Sequence, residues 1–301
     1  MSKAKIAVIG AGLMGHGIAQ VFALAGHEVT ITDALAVSLD TVKSRISTNL
    51  RDLGDDPRTV ERVRPIADLA EAVKGSDYVV EAVSEDLSLK QKLFAEIEQH
   101  VRPNTILASN TSVIPITAIM SGLTHRERAV GTHWWNPPYL VPLVEVIGTQ
   151  WTSEHTIDWT MTLHRTAGKQ PAHVKKDVPG FIGNRLQHAL WREAVSLVER
   201  GICDAETVDT VIKAAFGRRL AVLGPLENAD LVGTDLTLAI HKTVLPDIES
   251  RPGPSPYLEK LVADGKLGFK SGEGFRRWTH EDQVALRARV LAHLKKARES
   301  D

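Results

Sequence analysis

Cysteine is almost missing from this chain, since Cys203 is the only one among 301 residues. A single thiol excludes an internal disulfide framework and indicates a reducing compartment, so we expect a cytoplasmic protein. No apolar run approaches the roughly 20 residues that cross a membrane. The net charge of −1 provides no excess of basic residues for nucleic acid. We therefore expect neither a membrane nor a nucleic-acid partner, and we predict no metal site.

Two domains are expected, because a single hydrophobic core stops growing at about 250–300 residues. Short apolar strands alternate with helices up to about residue 180, which predicts a doubly wound parallel sheet of the α/β (Rossmann) class. Beyond Asp177-Val-Pro-Gly180 we predict only helices. Their long apolar faces predict an all-helical domain that also forms a homodimer. The predicted domains are residues 1–180 and 181–301.

The local pattern predicts the individual elements of both parts. Residues 34–65 are polar and are predicted to be helical, with a break at Gly54-Asp-Asp-Pro57. Residues 225–240 are predicted to form one helix. After the first two strands, further strands are predicted at residues 77–83, 105–108, 129–132 and 143–147.

The most informative motif is Gly10-Ala-Gly-Leu-Met-Gly15, which follows the apolar run Ile6–Ile9 and opens a predicted helix. In a dinucleotide-binding turn the glycines allow a tight turn close to a pyrophosphate, which the N-terminus of the helix then binds. The second strand ends in Asp33, 23 positions after Gly10, where an acid binds the ribose of NAD and repels the 2′-phosphate of NADP. The sequence therefore predicts an NAD site formed by Gly10, Gly12, Leu13, Met14, Gly15 and Asp33.

A base for hydride chemistry is predicted at His133, one of twelve histidines. Oxidation of an alcohol needs a group that takes the hydroxyl proton, and the pKa of histidine suits that role. His133 ends a predicted strand at the cofactor side of the sheet. Glu145 lies inside an apolar strand, where an unpaired carboxylate is costly. We therefore predict that His133 and Glu145 form a pair. Ser112 and Asn136 either bind the substrate oxygen or cap loops.

Several motifs, in order along nearly the whole chain, resemble those of the 3-hydroxyacyl-CoA dehydrogenase family. They are Gly10–Ala19, Ser109–Ser112, His133–Pro137, Leu143–Ile147, Asp177–Arg185 and Lys270–Phe275. The resemblance implies an NAD-binding domain, a helical domain that dimerises, and a catalytic base at His133 with Glu145 as its partner. It also implies that Ser112 and Asn184 bind the reacting oxygen. Further family positions near the cofactor are Glu81, Lys90 and Asn110.

The residues around the site depart from the pattern of the fatty-acid enzymes. Trp134-Trp135 replaces their usual Phe-Phe, and Pro142 replaces a lysine before the Leu-Val-Glu strand. Phe216–Pro225 carries Arg218 and Arg219 where Gly-Tyr-Pro-Met-Gly-Pro is usual. These features resemble the branch of the family that acts on small free acids. That branch includes L-gulonate 3-dehydrogenase, also met as lambda-crystallin, and a pyridine-carboxylate dehydrogenase.

The resemblance leaves three functions open. The first is oxidation of the β-hydroxyl of a small hydroxycarboxylate, with Asn136 and Trp134 at the substrate and Arg219 or Arg218 on its carboxylate. Both arginines are otherwise surface residues. The second is an L-3-hydroxyacyl-CoA dehydrogenase, in which the two tryptophans line an acyl pocket. The third is a non-catalytic structural or binding protein, which the complete set of site residues disfavours.

Overall fold

The computed structural model describes residues 3–299 and contains one eight-stranded sheet. The strands are β1 (Lys5–Ile9), β2 (Glu28–Thr32), β3 (Val63–Pro65), β4 (Tyr78–Glu81), β5 (Ile106–Ser109), β6 (Ala129–Trp134), β7 (Leu143–Ile147) and β8 (Gln170–Val174). Their order in the sheet is β3-β2-β1-β4-β5-β6-β7-β8. Each pair of neighbours is parallel except β6 and β7, which are antiparallel. The doubly wound sheet is thus confirmed, and the antiparallel pair is a feature that the sequence did not indicate.

Alternate residues of the central strands enter two hydrophobic cores, one on each face of the sheet. In β1, Ile6 and Val8 belong to one core, and Ala7 and Ile9 belong to the other. Because successive side chains of a strand point to opposite faces, a continuous apolar run is what a strand covered by helices on both sides requires. The apolar segments that predicted the strands are explained by this double burial.

Seven α-helices accompany the sheet: α1 (Leu13–Leu24), α2 (Ala36–Asp40), α3 (Val42–Leu53), α4 (Leu69–Val73), α5 (Leu87–His100), α6 (Ile116–Met120) and α7 (Glu154–Thr166). Side chains that precede several of them accept hydrogen bonds from the first turn. Asp86 accepts from the N–H of Leu89, and Ser153 accepts from that of Thr156. Such caps satisfy N–H groups that have no partner inside the helix, so they fix where each helix begins.

Two edge strands were missed by the sequence prediction. β3 has only three residues and lies at the edge of the sheet, inside the segment 34–65 that was predicted to be helical. β8 lies at the opposite edge and contains Pro171, with largely polar or partly exposed residues. Short edge strands are half solvated and carry a weak hydrophobic pattern, so periodicity did not reveal them.

The second part of the chain contains helices α8 (Gly183–Glu199), α9 (Ala205–Ala214), α10 (Pro225–Val232), α11 (Thr234–Val244), α12 (Pro256–Ala263) and α13 (His280–Arg298). The prediction of a helical C-terminal part is confirmed. The single helix predicted at residues 225–240 is wrong, because Gly233 adopts a φ of 98° and divides α10 from α11. That conformation suits glycine and interrupts the helix.

Two compact units are distinguished by their internal contacts. One contains the chain up to Arg185 together with the chain from Ala292 onward, and the other is Leu186–Leu291. Within residues 3–299, no helix is both long enough and apolar enough to cross a bilayer.

Candidate active site

The glycine turn after β1 has the close packing that the motif predicts. Gly10 has a φ of 101°, and a Cβ atom there would lie 2.6 Å from the carbonyl oxygen of Ala82. A Cβ atom on Gly15 would lie 1.7 Å from the carbonyl oxygen of Gly10, so α1 packs against the turn only with glycine at that position. A Cβ atom on Gly12 would meet nothing within 4 Å, which leaves open space at the start of α1. Gly10 and Gly15 are required by the fold, whereas Gly12 leaves room for a ligand.

The N-terminus of α1 and the side chain of Asp33 complete this cradle. Gly12 occupies the N-cap position and provides no capping side chain for the N–H groups of the first turn. Asp33 follows β2, where its Oδ2 accepts a hydrogen bond of 2.6 Å from the N–H of Ala11 and its Oδ1 accepts one of 2.8 Å from that of Leu35. An uncapped helix end beside an open glycine and a strand-terminal carboxylate fits a dinucleotide. Leu13 and Met14 lie in the same first turn, with Leu13 exposed.

Arg45 of α3 holds the glycine turn from outside. Its Nη2 donates hydrogen bonds of 2.6 Å to the carbonyl oxygen of Ala11 and 2.7 Å to that of Ser38. Its Nη1 donates a longer bond of 3.4 Å to the carbonyl oxygen of Gly12. Carbonyl partners carry no net charge, so the guanidinium keeps its positive charge next to the turn. No motif in the sequence points to Arg45 for this role.

A buried ion pair lies at the carboxyl ends of β4 and β5. The Nζ of Lys90 is 2.6 Å from Oε1 of Glu81 and 3.3 Å from Oε2 of Glu85. Glu81 also accepts hydrogen bonds from the Ser109 hydroxyl and the N–H of Val83. Lys90 and Glu81 are fully buried. The pair therefore stabilises the packing at the ends of these strands. A direct contact of either residue with the cofactor stays a prediction.

Glu85 accepts hydrogen bonds from the loop that carries Ser112. No motif in the sequence identifies Glu85 as a residue of the site. Its Oε1 accepts from the Thr111 hydroxyl at 2.6 Å, from the N–H of Ser112 at 2.8 Å and from that of Val113 at 3.2 Å. Burial disfavours the ionised form of Glu85, but these hydrogen bonds and the charge of Lys90 together hold its pKa below the ordinary value. Glu85 precedes this loop by 26 residues or more, so no local pattern pointed to the contact.

His133 and Glu145 form the predicted pair. The two residues lie directly opposite each other in the antiparallel β6–β7 register, and Nδ1 of His133 is 2.7 Å from Oε2 of Glu145. Both residues are buried, with 4% and 1% of their surface exposed. Because a carboxylate only accepts hydrogen bonds, Nδ1 of the neutral imidazole carries the hydrogen and Nε2 carries the lone pair.

The second oxygen of Glu145 is held by the N-terminus of α8. Its Oε1 accepts hydrogen bonds of 2.8 Å from the N–H of Ile182 and 3.0 Å from the N–H of Gly183. Burial raises the pKa of Glu145, but the hydrogen bonds from His133, Gly183 and Ile182 outweigh it and leave the pKa below its ordinary value. Glu145 is therefore ionised near neutral pH and fixes the imidazole of His133.

Asn184 and Ser112 also come together. The Nδ2 of Asn184 donates a hydrogen bond of 2.8 Å to the carbonyl oxygen of Ser112. One hydrogen of that amide group is used, and the other remains for a further acceptor. Asn110 belongs to the same loop, and its Oδ1 accepts a hydrogen bond of 2.9 Å from the N–H of Trp134. The structure thus fixes this loop against the strand that carries His133.

The two tryptophans after His133 occupy different environments. Trp134 is only 2% exposed and packs in the hydrophobic core against Phe22 and His164. The expectation that Trp134 contacts substrate is corrected by this position, because alternate strand residues face opposite sides of the sheet. Trp135 is the tryptophan beside His133, with their ring centroids 5.2 Å apart. Trp135 is therefore the residue that replaces Trp134 as a candidate for substrate contact.

A cavity of about 400 Å³ lies beside the glycine turn and includes Asn136. Its other lining residues are Leu13, His16, Ser44, Arg45, Thr48, Asn49 and Tyr139.

Arg218 and Arg219 are exposed residues of the other unit, at the end of a short 3₁₀ helix (Phe216–Arg218). The role of Arg219 stays a prediction. Among residues 3–299, no group of three or more His, Cys, Asp or Glu side chains is arranged to hold a metal ion.

Comparison with known proteins agrees with this geometry. Residues 5–178 match the NAD-binding domain of 3-hydroxyacyl-CoA dehydrogenase, and residues 180–278 match its C-terminal domain. The 5-formyl-3-hydroxy-2-methylpyridine 4-carboxylate 5-dehydrogenase of Mesorhizobium japonicum is 38% identical over 94% of this chain and 93% of its own. The human mitochondrial hydroxyacyl-coenzyme A dehydrogenase is also 38% identical, over 91% and 90% of the two chains.

A solved structure shows the same fold. The crystal structure of an NAD⁺-dependent 5-formyl-3-hydroxy-2-methylpyridine 4-carboxylic acid 5-dehydrogenase superposes with a TM-score of 0.91 at 37% identity. The match covers 98% of this chain and 97% of that one. The open glycine cradle, the uncapped helix and the matched NAD-binding domain all fit NAD. The chain belongs to the 3-hydroxyacyl-CoA dehydrogenase family and is an NAD-dependent dehydrogenase that acts on a hydroxyl group.

Proposed function

We propose that this protein oxidises the secondary β-hydroxyl of a small hydroxycarboxylate to a ketone, with His133 as the base. The observation that carries the proposal is the buried contact of 2.7 Å between His133 and Glu145. It leaves Nε2 of His133 as a proton acceptor with a fixed orientation. Bound NAD supplies the acceptor for the hydride that leaves the substrate carbon.

Four residues of the protein are proposed to accept the hydroxyl proton and to bind the reacting oxygen. Nε2 of His133 takes the hydroxyl proton, and the carboxylate of Glu145 stabilises the imidazolium that forms. Ser112 and the free amide hydrogen of Asn184 are proposed to hold the reacting oxygen and to stabilise its developing charge. In the reverse direction the imidazolium returns its proton to the oxygen. On this proposal the Glu145 contacts with Ile182 and Gly183 keep the base in place throughout the reaction.

Glycine and acidic groups near α1 are proposed to bind NAD. Gly10, Gly12 and Gly15 shape the turn, and the N–H groups of Leu13 and Met14 at the helix start would donate to the phosphates of bound NAD. Asp33 is proposed to bind the adenosine ribose, in which case it must exchange its contact with Ala11 for a ribose hydroxyl or make both. Glu81, Lys90 and Asn110 are proposed to support the same site from the strand ends, where Glu81 pairs with Lys90 and its backbone carbonyl accepts a hydrogen bond from the N–H of Asn110.

A free acid is favoured over a thioester by the charge balance of residues 34–65, which contain six basic and five acidic residues. Three of the basic side chains already have partners within the protein. The guanidinium of Arg45 donates to a carbonyl group of the glycine turn. The Nη2 atom of Arg58 is 2.9 Å from Oδ2 of Asp56, and that of Arg64 is 3.8 Å from Oε1 of Glu71. In the fatty-acid enzymes the corresponding segment is lysine-rich and helps to hold CoA. The Mesorhizobium relative, named for a formyl-bearing pyridine carboxylate, supports a free carboxylic acid as the substrate.

The alternative is an L-3-hydroxyacyl-CoA dehydrogenase. The human mitochondrial hydroxyacyl-coenzyme A dehydrogenase supports this alternative, at the same 38% identity as the Mesorhizobium relative. An assay panel decides between the two by following NADH formation with 3-hydroxybutyryl-CoA and with free hydroxy acids. We expect turnover of a free acid. Turnover of the thioester alone would overturn the proposed substrate class while leaving the reaction intact.

The base is tested with His133→Ala. We expect this variant to lose turnover with every substrate and to bind NAD with unchanged affinity in a calorimetric titration. Retained turnover would overturn the assignment.

Arg219 is proposed to hold the substrate carboxylate together with or instead of Arg218, because a guanidinium binds a carboxylate with two parallel hydrogen bonds. Arg218→Ala and Arg219→Ala test this, and an unchanged KM in both variants would remove the carboxylate anchor.

We also propose a cytoplasmic homodimer that forms through the C-terminal helices. Exposed apolar side chains support the dimer, since large apolar surfaces mark interaction sites. Light scattering during size-exclusion chromatography gives the mass of the protein in solution. A monomer at micromolar concentration would contradict the dimer. The single cysteine supports the compartment. The exposed apolar residues of the second unit include Leu186, Trp191, Val211, Leu226, Leu231, Leu236 and Leu238.

A further inference from the structure

Trp135 lies against His133 of the His133–Glu145 pair. Its ring centroid is 5.2 Å from that of His133, with an angle of 54° between the rings. Phe181 lies 5.6 Å from the same imidazole at an angle of 51°. The imidazole of His133 therefore contacts two aromatic rings in addition to the carboxylate of Glu145. These contacts restrict both its rotation and the access of water.

Gly183 leaves the space that the indole ring fills. A Cβ atom on Gly183 would lie 2.5 Å from Cζ2 of Trp135 and 3.3 Å from its Cε2. The same Cβ atom would lie 3.4 Å from Oε2 of Glu145. Contacts below 3.0 Å are not tolerated, so any residue other than glycine would push the indole away from its place. Gly183 is also the residue whose N–H binds Glu145.

We propose that Trp135 and Gly183 form a matched pair that determines specificity, in which the indole limits the room beside His133 to a compact substrate. This inference rests on the proposed function, because it takes His133 as the group that meets the substrate. The indole ring of Trp135 fits only because position 183 is a glycine and has no side chain. The hydroxyl group on the reacting carbon must come within hydrogen-bond distance of Nε2 of His133, so a ring next to the imidazole restricts the other groups that this carbon can carry.

A double-mutant cycle tests the pair. In Gly183→Ala the new methyl group displaces the indole, and we expect kcat/KM for the small hydroxy acid to fall by about 100-fold, as displacements of about 1 Å at an active site do. Trp135→Phe removes the Cζ2 atom that this methyl group would meet. In that background we expect Gly183→Ala to cost only about 3-fold. The coupling is then about 30-fold, or about 2 kcal/mol at 1.36 kcal/mol per factor of ten.

Substrate selectivity separates a specificity role from a merely structural one. We expect Trp135→Phe to lower kcat/KM for the compact acid and to raise it for a homologue extended by two to four carbons, mainly through KM. The matched control is Trp134→Phe, which changes the neighbouring core residue. We expect that variant to lower the Tm without altering the ratio of kcat/KM between the two substrates. Equal effects of Trp135→Phe on both substrates would overturn the inference.

The design keeps this inference separate from the proposed function. If only thioesters are oxidised, the same cycle is run with short and long acyl thioesters, and the substrate class fails while the pair is still tested. The coupling is also measured without turnover, from the urea unfolding of the four proteins. Additive effects of the two substitutions, in both kcat/KM and unfolding free energy, would overturn the matched pair.

Discussion

The Nζ atom of Lys90 lies 2.6 Å from Oε1 of Glu81, and both side chains are completely shielded from solvent. Lys90 belongs to α5, whereas Glu81 ends β4, so the contact joins a helix to the centre of the sheet. Glu85 is the second anion near Lys90 and holds the backbone of Ser112. One cation thus connects the strand ends to the loop that is proposed to bind the substrate oxygen.

Lys90→Met is expected to destabilise the fold strongly. The substitution leaves the carboxylate of Glu81 buried without its cation, and breaking a buried pair in this way costs about 3–5 kcal/mol. The free energy of unfolding in urea measures the loss. Lys92→Met is the matched control on the same helix, where the side chain is exposed and we expect a change within about 0.5 kcal/mol. Equal losses in the two variants would contradict the structural role of the pair.

Glu145→Gln is expected to reduce kcat by about 100- to 10,000-fold, since loss of the anion removes the stabilisation of the imidazolium and the control of its tautomer. The amide keeps the size of the side chain and can still accept a hydrogen bond from Gly183. We therefore expect the affinity for NAD to stay within about 3-fold. Steady-state kinetics and calorimetric titration measure the two quantities. A variant with normal kcat would show that the imidazole needs no negative partner.

Much of the sheet and the contact between His133 and Glu145 could be predicted from sequence. Glycine spacing and the strand-terminal Asp33 predicted the cradle, and isolation in an apolar strand predicted that Glu145 needs a partner such as His133. Those inferences rest on local costs, namely steric collision at a glycine and burial of a charge, and such costs are visible in a short stretch of chain.

Long-range contacts explain what was missed. Glu85 meets residues 111–113 only after the chain has formed a helix and a strand between them, so no spacing rule identifies it. The position of Trp134 was predictable in principle, because strand alternation places it on the face opposite to His133. The predicted strand ended on His133, one residue before Trp134, so the alternation was not carried to Trp134, whereas β6 extends through that residue.

Lys169 gives a pH dependence of stability with a definite sign. Its Nζ donates to the carbonyl oxygens of Pro138 and Val141, and burial together with the nearby charge of Arg298 lowers the pKa of Lys169 from 10.5 to about 8. Between pH 8 and 10.5 the unfolded chain binds this proton and the folded chain does not. The contribution of Lys169 to stability therefore rises with pH across that window. A neutral amine still has two hydrogens for its two carbonyl partners.

Comparison with Lys169→Met isolates this contribution. We expect the unfolding free energy of the wild type, relative to that of the variant, to increase between pH 8 and pH 10. Guanidinium chloride unfolding at a series of pH values measures it. A difference that falls or stays constant over this range would show that the folded protein keeps Lys169 protonated.

Arg45→Met is expected to weaken NAD binding by about 10- to 100-fold, because the turn proposed to bind the pyrophosphate loses hydrogen bonds from a charged group, each of which stabilises it by about 1.5–3 kcal/mol. The guanidinium fixes the carbonyl groups of Ala11 and Ser38 and adds positive charge beside the proposed pyrophosphate site. A lost charge also makes the dissociation constant less sensitive to salt. Arg51→Met serves as the control, since Arg51 is an exposed arginine on the same helix. Titration of both variants with NAD at low and high ionic strength separates the two contributions: a weaker affinity with unchanged salt dependence assigns Arg45 to loop geometry alone, and an unchanged affinity contradicts both roles.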